Sequence, residues 1–259
     1  NVVVKQETFQ RTGGRKEQIN QVLGGAAGQE PADALRSWND NGQLQSKLSD
    51  AQKRLFQDAI TKDPAKGAKT AQAMERLTQK PTVEKTVDSK QMGIIQKALI
   101  EDPTLEKPAS QLLESRFMQS KKADPQTRSE FLKFGLDQAK KGGTDFKLGS
   151  VKHAGDMLGS LVSSGMPKGA QRAAMKMVEK QPQDTGAMSN VDTFASDSNV
   201  SKMPSFARGK ATELLAQSGG KADVSDGFRK LAGDPDFQKQ TADNKGRFFA
   251  TIGSGNASE

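Results

Sequence analysis

The chain has 259 residues, a net charge of +8 at pH 7 and no cysteine. The missing thiols exclude disulfides, thiolate catalysis and cysteine-ligated metal sites. The single histidine, His153, excludes a zinc site built on two histidines, and we expect it to be an ordinary helical or loop residue. No segment has the roughly 18 consecutive apolar residues of a transmembrane helix. The composition is compatible with a cytoplasmic or an exported protein.

Residues 1–32 differ from the rest of the chain and predict an irregular N-terminal arm. The three valines at 2–4 favour a short strand. Residues 15–23 carry apolar side chains at helical spacing, and the glycine-rich stretch 24–31 predicts a linker. A docking tail and a frayed terminus are both compatible with this arm.

The chain from residue 33 to residue 253 carries a degenerate repeat. The octets Gln57–Pro64 and Gln96–Pro103 lie 39 residues apart and share glutamine, alanine, aspartate and proline. One aliphatic position recurs at spacings of 39, 37, 42, 37 and 37 residues. The residues at this position are Ile60, Leu99, Leu136, Val178, Leu215 and Ile252. Such a period predicts helical units that each bury an apolar face against their neighbours.

Each unit is predicted to contain a first helix with two apolar anchors, a turn and a second helix. The two anchors are three or four residues apart, which places them on one helical face. The anchor pairs are Leu35 and Trp38, Met74 and Leu77, Leu113 and Phe117, Leu158 and Leu161, Val191 and Phe194, and Phe228 and Leu231. The stretch from Gly142 to Gly155 is rich in glycine, and we expect a break in the helices there.

These two-helix units resemble repeats of the HEAT and armadillo type over roughly residues 32–253. The resemblance implies an all-α fold, a right-handed α-solenoid of about six degenerate helix pairs of 37–42 residues. It also implies a partner-binding surface and fixes no catalytic residue. The predicted organisation is an arm at 1–32, a helical repeat domain at 33–253 and a flexible tail at 254–259.

Sequence signatures of enzymes are scarce. There is no phosphate-binding loop, no nucleophile elbow and no calcium loop, and we expect no catalytic residue, no cofactor and no metal. Some DNA glycosylases built from HEAT-like repeats hold a damaged nucleotide with aromatic side chains. This chain has one tryptophan, Trp38, and no tyrosine, and the spacing of Trp38 from Leu35 predicts a core position. A protein that binds without catalysis is therefore expected.

One predicted helix carries cations at every fourth position. The residues of this basic stripe are Lys168, Arg172, Lys176 and Lys180. They occupy a band of roughly 120° on a helix, opposite an alanine-rich apolar face. Such a stripe is suited to steering an acidic partner or to contacting phosphates. A solvated face with no binding role is the alternative explanation of the same pattern. Further cations lie near in sequence at Lys140, Lys141, Lys147 and Lys152.

We therefore expect a non-catalytic scaffold or adaptor whose basic stripe binds an acidic protein partner. Sequence-independent binding of an anionic polymer, either a nucleic acid or a surface glycan, is an alternative. It is less favoured because no aromatic residues for base stacking are interleaved with the cations. A third possibility is an inert helical section of a larger secreted or toxin-like polypeptide, since the sequence begins at Asn1 and not at Met.

Overall fold

A computed structural model of the chain describes residues 13–142 and 149–253. Eighteen α-helices fill most of these ranges, and no strand occurs within them. The all-α prediction is therefore confirmed for the part of the chain that is described. The valines at 2–4, Lys147 and the predicted tail at 254–259 lie outside the described residues.

The chain divides into two compact units, and the first comprises residues 1–114 and 135–143. Its complete helices are α1 (Gly13–Leu23), α2 (Gln29–Asp40), α3 (Gly42–Lys47), α4 (Asp50–Lys62), α5 (Pro64–Thr78), α6 (Pro81–Thr86), α7 (Ser89–Glu101) and α8 (Glu106–Leu113). A short 3₁₀ helix, Pro103–Leu105, precedes α8.

The second unit comprises residues 115–134 and 144–259. Its helices are α9 (Arg116–Gln119), the first part of α10 (Pro125–Gly142), α11 (Gly149–Ser163), α12 (Lys168–Lys180), α13 (Thr185–Ser196), α14 (Ser198–Lys202), α15 (Ser205–Gln217), α16 (Ala222–Gly233), α17 (Pro235–Lys239) and α18 (Ala242–Gly253). The C-terminal part of α10 belongs to the first unit.

A long helix, a short helix and a second long helix follow one another repeatedly along the chain. The short helices α3, α6, α14 and α17 occupy places where the sequence predicts only turns, and α9 lies where it predicts the continuation of a first helix. They have four to six residues, too few to show a helical periodicity. Leu113 and Phe117 consequently lie on two helices, α8 and α9, and the prediction that they share one helix is wrong. Both side chains are nevertheless buried.

Within each unit, helices that hold the same place in this order pack on one another. In the first unit α2 packs against α5, and α4 packs against α7. In the second unit α11 packs against α13 and α13 against α16, while α12 packs against α15 and α15 against α18. α1 contacts both α2 and α4, so the described part of the predicted arm is packed on the first unit.

The apolar anchors form the cores of both units. Ten of the twelve predicted anchor residues are buried, and Trp38 stacks on Phe56 with ring centroids 4.3 Å apart. The core position predicted for Trp38 is confirmed. Phe228 and Leu231 of α16 are the two exceptions, since both are only half-buried.

Capping residues fix where the helices begin. At α4, the hydroxyl of Ser49 accepts a hydrogen bond from the Gln52 backbone N–H, and the Gln52 side chain accepts one from the Ser49 N–H. Asp88 and Gln91 make the same reciprocal pair at α7, 39 residues further on. Because a reciprocal cap satisfies two backbone donors that the helix leaves unpaired, both helices start at the same place in the repeat.

The described part of the glycine-rich stretch is helical. α10 ends at Gly142, and α11 begins at Gly149 and continues through Gly155, so any break in this stretch is confined to residues 143–148 and the prediction of one stays untested. Gly155 is buried, and a Cβ added there would be 3.2 Å from the Phe131 ring. The missing side chain thus allows α11 to pack closely on α10. Residues 143–148 lie outside the described residues.

Close approach of α4 and α5 depends on Gly67. A Cβ added at Gly67 would lie 2.5 Å from the Ile60 Cα, and backbone cannot yield as a flexible side chain does. We expect Gly67→Ala to destabilise the first unit by about 1–3 kcal/mol, although alanine favours helix formation. Urea unfolding followed by the fluorescence of Trp38, the only tryptophan, measures this change.

The matched control is Gly42→Ala in the same unit, where an added Cβ meets nothing within 4 Å. We expect its unfolding midpoint to stay the same or rise slightly. An equal loss of stability in both variants would contradict the proposed role of the contact between Gly67 and Ile60.

Candidate partner-binding groove

All four residues of the basic stripe lie on α12, and all four are exposed. The opposite face of α12 is buried through alanine, methionine and valine side chains, which the chain places at helical spacing. The helix begins after Pro167, whose extended backbone leads into its first turn, and it ends before Gln181. Sequence and structure therefore agree on the orientation of the cations toward solvent.

One glycine allows α15 to approach the start of α12 closely. A Cβ added at Gly209 of α15 would lie 2.8 Å from the Cγ of Pro167, the residue before α12. At Gly169 of α12 an added Cβ would meet only the Oε1 of Glu213, at 2.6 Å, which is the end of a flexible side chain and can move aside. A depression lies between the two helices.

This depression is a groove of about 360 Å³. Arg172, Lys176 and Lys180 line it from α12, and Glu213 and Gln217 line it from α15. The other lining residues are Gly169, Ala173, Met177, Gln181, Ala216 and Gly219. The groove therefore combines three cations, one carboxylate, two amides and a small apolar surface. Lys168, the first residue of the stripe, is exposed and does not line the groove.

Lys176 and Lys180 carry the available positive charge of the groove. Within the described ranges neither lysine makes an ion pair or a side-chain hydrogen bond. Glu213 on the other wall accepts a hydrogen bond from Lys210 of its own helix, with Nζ and Oε2 2.8 Å apart. Glu179 of α12 does not line the groove, and burial followed by the nearby charge of Glu130 raises its pKa. The two lysines are therefore free to bind an anionic group.

Arg172 is held in a different way from these two lysines. Its Nε and Nη2 each donate to Asp124 at 2.9 Å, which is a bidentate pair. The Asp124 side chain is 2% exposed and also accepts from the backbone N–H and the hydroxyl of Thr127. These bonds, above all those from Arg172, lower the pKa of Asp124 from 3.8 to about 2. Arg172 thus fastens α12 to the start of α10.

The other cations and the histidine that the sequence singled out form no second cluster in the described part of the chain. His153 is exposed on α11, and no group of three or more histidine, aspartate or glutamate side chains suited to a metal occurs in the described part of the chain. Lys140 pairs with Glu101 at 2.7 Å, while Lys141 and Lys152 are exposed. Among the described helices, none is long and apolar enough to cross a membrane.

The α15 wall of the groove, formed by Glu213 and Gln217, was not predicted from the sequence. The signal for it lies in the repeat, because Glu213 and Gln217 follow Lys176 and Lys180 by 37 residues. The same interval separates Val178 from Leu215, which the repeat already treats as equivalent. Extending the stripe by one period would therefore have identified the carboxylate and the amide that face the two lysines.

Comparison with protein-family models, with curated proteins and with solved structures gave no match to this chain. The function is therefore inferred from the groove and from the packing of the helices that form it.

The pair of Asp124 and Arg172 gives the second unit a defined acid sensitivity. Because folding lowers the pKa of Asp124, the ionised carboxylate stabilises the folded state above pH 4, and this contribution disappears as the pH falls toward the folded-state pKa. We expect about 2 kcal/mol of unfolding free energy to be lost between about pH 5 and pH 2. Urea unfolding at a series of pH values, followed by far-UV circular dichroism, measures it.

Asp124→Asn keeps the shape and one acceptor, so its stability should depend less on pH over this interval. Asp156→Asn, at an exposed position of α11, is the matched control and should keep the wild-type pH dependence. If Asp124→Asn lost as much unfolding free energy on acidification as the wild type, the ion pair would not be the source of that loss.

Proposed function

We propose that the chain is a non-catalytic protein-binding scaffold of the α-solenoid class, and that the groove between α12 and α15 holds an acidic segment of a protein partner. Packing of like helices on like helices within each unit supports a repeat architecture of about six helix pairs. The observation that carries the binding proposal is the pair of exposed, unpaired lysines, Lys176 and Lys180, on one wall of the groove.

The spacing of the lysines suits a helical partner. Lys176 and Lys180 are one turn apart on α12, which is about 6 Å along the helix axis. Two glutamates four residues apart on a partner helix have the same spacing, so each ammonium group can pair with one carboxylate. Ala173, Met177 and Ala216 then offer apolar contact to a side chain between the carboxylates.

Glu213 favours a protein partner over an anionic polymer. A uniformly charged polymer lying in the groove would bring its phosphates or sulfates toward this carboxylate, at a cost in repulsion. A protein segment can instead place a hydrogen-bond donor or a cation opposite Glu213. The groove lining also contains no aromatic side chain on which a base could stack.

The expected affinity is modest, because exposed ion pairs contribute roughly 0.2–1 kcal/mol each. The main contribution of the lysines is to steer the partner electrostatically and to fix its register in the groove. A groove that is formed before binding reduces the entropic cost of ordering the receptor. We therefore expect rapid, salt-sensitive association and a weak to intermediate affinity.

The test uses a fluorescent helical peptide that carries two Glu-x-x-x-Glu pairs around a central leucine. Lys176→Glu with Lys180→Glu should weaken its binding about tenfold or more and flatten the salt dependence. Arg172 is left unchanged because its pair with Asp124 supports the fold. Fluorescence anisotropy over a salt series measures both effects.

The matched control is Lys85→Glu with Lys90→Glu, which changes the net charge by the same amount at exposed positions of the first unit. Equal weakening in both double variants would mean that only net charge matters and would refute the groove. A labelled DNA duplex is titrated in parallel. Duplex binding that exceeds peptide binding and is lost in the groove variant would replace the proposal with the anionic-polymer alternative.

A further inference from the structure

A small cavity of about 130 Å³ lies in the second unit, where side chains of α14, α16, α17 and α18 meet. α14 contributes Asn199 and Lys202 to its lining, and α18 contributes Lys245. None of the residues that line the cavity is acidic. The cavity lies outside the groove between α12 and α15, so an inference about it does not depend on the proposed function.

Lys245 is the one lysine that is buried in the described part of the chain, with 8% of its surface exposed. Its Nζ donates a hydrogen bond to the Gln238 carbonyl oxygen at 2.7 Å and lies 5.7 Å from the centre of the Phe237 ring. A carbonyl and an aromatic ring carry only partial negative charge, and Lys245 makes no ion pair within the described ranges. Burial of an ammonium group without an opposite charge is costly, so an anion that pairs with Lys245 would stabilise this unit.

The carboxylates that lie nearest to Lys245 in sequence are directed elsewhere. Asp234 accepts two backbone N–H groups at the start of α17. Asp236 pairs with Lys239, with Oδ1 and Nζ 3.1 Å apart. Asp243 precedes Lys245 by two residues on α18, a spacing that places the two on different faces of the helix. The end of the second unit therefore supplies no counter-ion of its own to Lys245.

The repeat shows that the hydrogen bond of Lys245 to a carbonyl does not require a charge. Gln171 and Arg208 precede Lys245 at intervals of 37 residues, the same interval that separates the equivalent aliphatic positions of these units. Gln171 is buried, and its Nε2 donates to the Met166 carbonyl oxygen at 3.2 Å. Arg208 donates in the same way to the Ser164 carbonyl oxygen at 2.6 Å. Since a neutral amide serves at the first of these positions, the carbonyl contact alone does not explain a buried ammonium group at the last.

Lys202 and Asn199 add further hydrogen-bond donors to the cavity. Lys202 is exposed, and its Nζ donates to the Asn199 Oδ1 at 3.4 Å. The Asn199 Nδ2 makes no hydrogen bond in the ranges that the structure describes. An ammonium group has three N–H donors and an amide nitrogen has two, so most of these donors are available. A lining with many donors and no carboxylate is suited to an anion.

The remaining lining restricts the kind of anion. Met203, Ala232 and Phe237 are buried and line the cavity together with the two lysines. Inorganic phosphate, which is polar on all sides, would lose hydration against these side chains. A carboxylate with a short hydrocarbon part can place its oxygens at the lysines and its carbons at the apolar lining. The cavity has the volume of roughly four water molecules, so only a few carbon atoms fit.

We propose that this cavity binds a small carboxylate, whose oxygens pair with the buried Lys245 and accept hydrogen bonds from Lys202 and Asn199. Lys202, at the exposed side of the cavity, steers the anion toward it. The bound carboxylate neutralises the ammonium group of Lys245 and joins α14 to α18. Binding therefore also stabilises the folded second unit.

A titration of the full chain with butyrate, followed by two-dimensional ¹H–¹⁵N NMR at constant ionic strength, tests the proposal. Backbone amides around Lys202, Phe237 and Lys245 should shift and saturate at millimolar butyrate, and chloride should not reproduce the shifts. Butyrate should bind about threefold or more tightly than acetate, because its additional methylene groups contact the apolar lining. Inorganic phosphate should bind more weakly than butyrate.

Lys245→Gln removes the buried charge and keeps a side-chain donor for the Gln238 carbonyl, as Gln171 does in an earlier unit. It should weaken butyrate binding about tenfold or more. The matched control is Lys221→Gln, which removes the same charge from an exposed position of the second unit and should bind butyrate like the wild type.

Asn199→Asp keeps the test decisive if Lys245→Gln does not fold. This variant has the same shape, retains an acceptor for Lys202 and places a carboxylate in the cavity lining. It should weaken butyrate binding about tenfold without lowering the urea midpoint of unfolding.

Wild-type protein that shows no saturable shifts at the cavity below about 100 mM butyrate would overturn the proposal. Unchanged affinity in both Lys245→Gln and Asn199→Asp would also overturn it. Tighter binding of phosphate than of butyrate would refute the assignment of the ligand as a carboxylate.

Discussion

Every helix in this chain depends on its neighbours for stability. Most of the long helices have 12 to 15 residues, a length at which an isolated helix is marginal in water. Their stability therefore comes from burying one face against the next helix of the same kind. Because the chain is only 33% hydrophobic, few apolar positions are available, and close helix contact must compensate. Gly67, Gly155 and Gly209 provide that contact where a side chain would hold two helices apart.

The proposed binding groove arises from the same constraint. Gly209 lets α15 approach the start of α12, and longer side chains of both helices form the walls of the groove. The ion pair between Arg172 and Asp124 fixes α12 from its other flank. One cation of the basic stripe is thus used in packing, while Lys176 and Lys180 remain exposed. A single helix face supplies both a structural contact and the two cations of the recognition surface that we propose.

The sequence predicts the long helices well because their apolar residues recur at helical spacing and their caps are local signals. Ser49 with Gln52 and Asp88 with Gln91 are such caps, and the anchors from Leu35 to Phe194 are buried as the pattern requires. The short helices α3, α6, α9, α14 and α17 were not predictable, since four to six residues contain less than two turns. The apolar residues of these short helices can be assigned to a helix only when the helices on which they pack are known.

The candidate site shows the same division between local and distant information. The exposure of the basic stripe follows from the spacing of four residues on one helix. The ion pair of Arg172 with Asp124 does not follow from this spacing. Asp124 lies 48 residues before Arg172 and was not recognised as its partner. Likewise, Glu213 faces the groove through packing of α15 on α12, which hydrophobic periodicity within either helix cannot reveal.

The one-sided burial of α16 and α18 also sets where the second unit opens first. α13 and α15 each pack on a long helix of the same kind on both sides, whereas among the described helices α16 and α18 do so on one side only. Backbone amides in α16 and α18 should therefore exchange with solvent through local opening at a lower free energy than those in α13 and α15. Amide exchange in the second unit should thus grow faster from α13 toward its last described helices.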